Sequence, residues 1–218
     1  MLYTYGDSFT YGWDLQNLNK NWGTVLSKKL KVGYRNYAYP GGSNWRICRE
    51  LYNTRLRPND IVIIGWTISN RFEFGRLDRT RFYNGQNKWA NPKNDIQPFH
   101  QEIANRIFDP RISEFARTAY EVLSDDDWFD DMFNMLYWSV RSYLDRSKVK
   151  WFMFDTWTSN ILDGMEHDNY VYSGRKNMND YLKKRDNYHL EKGYWNESGH
   201  QKVADIFYEL YWNQCSKS

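Results

Sequence analysis

The opening run Leu2-Tyr-Thr-Tyr-Gly6-Asp7-Ser8-Phe9-Thr10-Tyr11-Gly12 constrains this chain more than any other stretch. A short β-prone segment breaks at a glycine and delivers an acid and a serine into a tight turn flanked by Gly6 and Gly12. Strand-to-helix turns of this kind hold a hydroxyl just outside the carboxyl end of a parallel strand, where open α/β sheets place their ligands. The flanking glycines let the backbone take conformations that other residues resist. Ser8 also has the ordinary reading of a helix N-cap, a role that serine fills readily.

The rest of the chain points to the same architecture. Strand-like runs lie at Leu2–Tyr5, Tyr34–Tyr37, Ile61–Ile64 and Trp151–Asp155. Helical patterns fill the intervals at Trp22–Leu30, Ser43–Leu56, Pro98–Leu123, Phe129–Leu144 and Ser198–Trp212. Strands alternating with helices predict parallel βαβ units, hence an α/β fold of three α/β/α layers around a mostly parallel sheet. The polar segment Arg71–Gln97, punctuated by Gly75, Gly85 and Pro92, reads as a long loop over the carboxyl edge. Asp155–Arg185 reads as a second irregular stretch. The 218 residues suffice for one domain with a substantial core, spanning 1–218.

Gly6-Asp7-Ser8 resembles the first block of the SGNH/GDSL hydrolases, whose nucleophilic serine lies close to the N-terminus. Three further segments follow that family's order. Asn36-Tyr-Ala-Tyr-Pro40-Gly41-Gly42-Ser43-Asn44 resembles the second block, with Gly41 as its glycine. Asp60-Ile-Val-Ile-Ile-Gly65-Trp66-Thr67-Ile68-Ser69-Asn70-Arg71 resembles the third, with Asn70 as its asparagine, although the family spaces its glycine and asparagine more closely. Asp186-Asn187-Tyr188-His189 fits the fourth block, Asp-x-x-His. A second register is open there, because Tyr194-Trp195-Asn196-Glu197-Ser198-Gly199 resembles the tail of the same block and puts Tyr194 where the histidine belongs. The first register supplies an acid and a base at the family's spacing; the second lacks the base, since a tyrosine is no general base near neutral pH.

The resemblance implies a flavodoxin-like SGNH fold and a serine ester hydrolase working through an acyl-serine intermediate. Ser8 would be the nucleophile, His189 its base and Asp186 the residue that orients the imidazole. A serine hydroxyl needs such a base, and a histidine with a pKa of roughly 6.5 is largely neutral at pH 7. The oxyanion hole would be the Ser8 and Gly41 backbone N–H groups and the Asn70 side-chain amide. Two alternatives stand beside it: a catalytically inactive binding or structural module on the same fold, marked by Tyr194, and an O-acyltransferase using the same serine. Taken alone, Gly41-Gly42 is equally a turn after Pro40, Asn70 a cap of the next element and His189 a solvated loop residue. His200 reads as starting or packing the last helix, with a base swinging in from that helix as a third outcome.

Composition narrows the partners. A formal net charge of +3 gives no reason to expect nucleic acid. Aromatics make up 19% of the chain, including 11 Trp and 18 Tyr, which is far above ordinary usage. Most are expected in the core. Trp66, Trp89, Trp157 and Trp195 lie beside or between the four blocks, where a ring face would suit a carbohydrate-borne ester. A small-molecule or carbohydrate ester is therefore the expected substrate, with no cofactor and no metal, since four scattered histidines carry no ligand spacing. Cys48 and Cys215 are too few and too far apart for a disulfide framework. No basic-then-apolar leader and no long apolar run is visible, so a cytoplasmic or phage-encoded protein without a membrane span is the expectation.

Overall fold

Side-chain alternation along two central strands sets the layers. In β1 (Leu2–Tyr5) Leu2 faces one side of the sheet while Tyr3 and Tyr5 face the other. In β3 (Ile61–Trp66) Ile61 and Ile63 join Leu2, whereas Val62, Ile64 and Trp66 join the two tyrosines. Every residue of both strands is buried, as a parallel sheet covered on both faces requires. The computed structural model describes residues 1–13, 15–69, 71–75, 96–99, 118, 126–156, 169–171, 177–183 and 193–217.

Five strands form the main sheet in the order β2-β1-β3-β6-β7, all neighbours parallel. β2 is Tyr34–Asn36, β6 is Lys150–Asp155 and β7 is Tyr170–Val171. One face carries α2 (Trp22–Leu30), α5 (Met178–Lys183) and α6 (Glu197–Lys217), whose Trp22, Leu26, Met178, Leu182, Val203 and Phe207 pack on Leu2, Ile63 and Phe154. The opposite face carries α3 (Asn44–Tyr52) and α4 (Asp126–Arg146), whose Ile47, Leu51, Phe133, Tyr137 and Leu144 pack on Tyr5, Ile64 and Met153. The α/β/α reading and the parallel neighbourhood of the four expected strands are thus observed. The order is the flavodoxin-like one, in which the chain leaves β1 to one side and β3 to the other, opening a crevice between their carboxyl ends.

Several boundaries differ from expectation, each for a local reason. β2 stops at Asn36 because its side-chain oxygen accepts the Ala38 N–H at 3.0 Å and turns the chain out of the ladder. The helix expected from Ser43 begins one residue later, with Ser43 as N-cap accepting the Arg46 N–H at 3.1 Å. The segment read as the loop Arg71–Gln97 closes on itself instead: β4 (Phe72–Gly75) pairs antiparallel with β5 (Ile96–Phe99) in a separate ribbon. That pairing also removes Pro98 and Phe99 from the helix expected over Pro98–Leu123; a ribbon has only edges, where proline is tolerated. Of the remainder of that expected helix, the described residue Thr118 is helical. Within the stretch read as irregular lie β7, too short to leave a period, and α5, whose first turn is capped by Asn177 accepting the Asp180 N–H at 2.8 Å.

Candidate active site

The turn after β1 is shaped by close approach. A methyl group on Gly6 would stand 2.4 Å from Thr10 Oγ1 and 3.0 Å from the Gly65 carbonyl, so only glycine lets β1 enter α1 (Ser8–Tyr11) this tightly against β3. Asp7 caps α1, its Oδ1 accepting the Phe9 N–H at 3.0 Å. Ser8 is therefore the first helical residue, not the N-cap, and it sits beside the β1/β3 crevice. Its backbone N–H belongs to the free first turn of a helix, where donors point outward. Among the described residues, neither the Ser8 hydroxyl nor its N–H makes a hydrogen bond.

Gly41 is brought to the same edge by a second turn. Pro40 and Gly41 occupy the two central positions of a turn closed by the Gly42 N–H on the Tyr39 carbonyl at 2.8 Å, and Gly41 has φ of 75°. Proline followed by a left-handed glycine is the type II pattern. The turn is fastened to the Ser8 turn by the Tyr39 N–H, which donates to the Gly6 carbonyl at 3.0 Å. A Cβ on Gly42 would lie 3.6 Å from that same carbonyl oxygen.

Beneath Ser8 lies a buried polar cluster to which the sequence reading assigned no role. Thr67, directly after β3, donates its hydroxyl to Asp7 Oδ2 at 3.1 Å and accepts from Arg71 Nη1 at 2.7 Å. Arg71 Nη1 also reaches Asp7 Oδ2 at 3.4 Å. Asn44, in the first turn of α3, holds the Thr67 backbone on both sides: its amide donates to the Thr67 carbonyl at 3.1 Å and accepts the Thr67 N–H at 3.0 Å. All four residues are buried, and Asp7 is 0% exposed. The only signal in the sequence was a short polar run after an apolar strand; nothing there tied Arg71 to Asp7. A small cleft, with room for about one water, borders this cluster, lined by Asn44, Trp45, Ser69, Arg71, Trp128 and Met132 among others.

The C-terminal block reaches α1 from the other side. The Tyr194 ring packs on Phe9 with centroids 5.1 Å apart, and Trp195 packs on the same ring at 4.9 Å. His200 is buried; its Nδ1 accepts the Trp22 N–H at 3.2 Å, and desolvation pushes its pKa down to about 3. Neutral, with its acceptor nitrogen committed to the start of α2, it is a packing residue. Asp155, at the carboxyl end of β6, is buried and accepts the Tyr170 hydroxyl at 2.8 Å, whose own pKa burial pushes well up. Asn70, Asp186 and His189 lie outside the described residues.

Among the tryptophans offered as stacking faces, Trp66 and Trp195 are wholly buried and present no ring to a ligand. Their apolar surface is spent in the core, where large rings stabilise most. Trp89 and Trp157 lie outside the described residues. Trp45 and Trp128, 41% and 38% exposed, stand at the cleft instead. Among the described residues, no group of His, Cys, Asp and Glu is arranged to hold a metal ion, and no helix is long and apolar enough to cross a membrane.

No family model matches the chain, and no curated protein matches it. Solved structures do. The chain is similar to G-D-S-L family proteins. A member of the lipolytic protein G-D-S-L family from Veillonella parvula shares 14% identity over 95% of this chain and 96% of its own, with a TM-score of 0.42. A carbohydrate esterase whose active site is described as having divergent catalytic and non-catalytic binding functions shares 11% identity over 97% of this chain, with a TM-score of 0.45. This chain spans 64% of that esterase's length.

Proposed function

We propose that the chain is a serine ester hydrolase that transfers an acyl group to Ser8 and then to water. The observation that carries this reading is Ser8 in the first turn of α1, at the β1/β3 crevice, with its hydroxyl and N–H unengaged among the described residues. In the proposed reaction Ser8 Oγ attacks the ester carbonyl while His189 takes the hydroxyl proton. The carbonyl oxygen, now negative, is held by the Ser8 and Gly41 N–H groups and the Asn70 amide. Collapse expels the alcohol, which receives the proton from His189, and leaves the acyl-serine. Water, deprotonated by His189, then attacks the acyl-serine; collapse releases the acid as His189 returns the proton to Ser8 Oγ, and Asp186 orients the imidazole throughout. The exposed indoles of Trp45 and Trp128 would suit a carbohydrate-borne ester, whose sugar faces could stack on them.

One observation favours a second reading. Tyr194, which takes the histidine's place in the other register, packs against Phe9, the residue next to Ser8. In that reading the fold binds a ligand at the same crevice without turning it over. Hydrolysis of p-nitrophenyl acetate by the wild-type protein and by Ser8→Ala separates the two. Turnover that disappears with the serine supports the hydrolase, and wild-type turnover no faster than Ser8→Ala overturns it.

A further inference from the structure

The turn that carries Ser8 is tied to the end of β3 through a directional chain of three side chains. Arg71 and Asp7 are 64 residues apart in sequence, yet both are buried and their charged ends lie 3.4 Å apart. Thr67 stands between them. Its single hydroxyl proton goes to Asp7 Oδ2 at 3.1 Å, which leaves its oxygen to accept from Arg71 at 2.7 Å. The other Asp7 oxygen accepts the Phe9 N–H at 3.0 Å, the amide that follows Ser8 in the chain. The far end of the chain is immobilised as well, because Asn44 grips both backbone polar groups of Thr67.

Stability alone does not account for such a pair, since removing two charges from water offsets most of their attraction. The arrangement does something apolar residues of the same volume would not: it fixes the rotation of the Asp7 carboxylate, and with it the first turn of α1. We propose that Arg71 is a positioning residue for Ser8, acting through Thr67 and Asp7 to hold the nucleophile's turn against the end of β3. The catalytic part of this role rests on the serine hydrolase reading, whereas the mechanical coupling of the two segments does not.

The test compares the wild type with Thr67→Val, Thr67→Ser and the double variant Asp7→Asn/Arg71→Met, which leaves no lone charge in the interior. Steady-state hydrolysis of p-nitrophenyl acetate gives kcat and KM, and amide hydrogen exchange is followed over residues 6–13 and 61–69. Thr67→Val and the double variant are expected to lower kcat roughly 10- to 100-fold, the cost of a small misplacement, with KM within about twofold of wild type. Thr67→Ser, which keeps the hydroxyl, restores most of that loss. Exchange over residues 6–13 rises in Thr67→Val although the substitution lies in the other segment. A wild type that turns over while Thr67→Val and the double variant keep its kcat overturns the proposal, as does a Thr67→Ser no better than Thr67→Val. A wild type without turnover overturns the hydrolase reading and the catalytic role with it; raised exchange over residues 6–13 then upholds the coupling, and unchanged exchange overturns that too.

Discussion

His200 Nδ1 accepts the backbone N–H of Trp22 at 3.2 Å, joining the first turn of α6 to the first turn of α2 across 178 residues. The bond exists only while the imidazole is neutral, with its proton on the other nitrogen, and burial keeps the folded-state pKa near 3 against 6.5 when exposed. The unfolded chain therefore binds the proton first as pH falls. Stability from this residue is fully present above pH 6.5 and declines toward pH 3, by about 2 kcal/mol on reaching pH 5. Urea denaturation across that range should show this acid limb. It should flatten in His200→Gln, whose amide oxygen still accepts the Trp22 N–H but does not titrate. An equally steep limb in that variant would move the effect to other groups.

Gly6 faces Thr10 across the turn, and a Cβ there would lie 2.6 Å from the Thr10 Cβ as well as 2.4 Å from its oxygen. A rotamer change of Thr10 moves the oxygen but not the Cβ, so Gly6→Ala must displace backbone. Overpacking of this kind costs about 1–3 kcal/mol. The expected result is a lower urea midpoint in Gly6→Ala than in wild type, with no relief from adding Thr10→Ser. A midpoint equal to wild type would mean that the turn yields freely.

Those two contacts also mark where the sequence stops being legible. β1, α2 and β3 were readable because their apolar periods run uninterrupted, and Trp22–Leu30 begins and ends where expected. The Gly6-Asp7-Ser8 turn was readable because glycine and a strand end declare it. β4 and β5 were not, since Phe72–Gly75 and Ile96–Phe99 gain strand character only by pairing with each other. The Asp7–Thr67–Arg71 chain was invisible for the same reason: each member is an ordinary polar residue until the β1/β3 register brings them together. His200 was readable as a residue that starts or packs the last helix, and it is buried against Trp195.

Tyr194 offers a direct discrimination between the two functional readings. Its ring contacts Phe9, the residue next to Ser8, so in the second register a histidine substituted there would take the base's place. If the second register is the true one, wild-type turnover of p-nitrophenyl acetate is negligible and Tyr194→His raises it measurably. If the first register is true, the wild type is already active and Tyr194→His brings no gain. The comparison is made at pH 8, where an imidazole of ordinary pKa is mostly neutral and able to accept the serine's proton.

Under the proposed mechanism Ser8 and His189 act as one unit, because the attack needs hydroxyl and base together. Ser8→Ala and His189→Ala should each reduce kcat on p-nitrophenyl acetate by about a thousandfold or more, and the double variant should be scarcely worse than either. Stability is a separate matter. Ser8 makes no side-chain hydrogen bond among the described residues, so Ser8→Ala should shift the urea midpoint little. A fluorophosphonate should label the wild type at a single serine and fail on Ser8→Ala. Multiplicative losses in the double variant would mean that the two residues contribute independently, and labelling that persists in Ser8→Ala would put the nucleophile elsewhere.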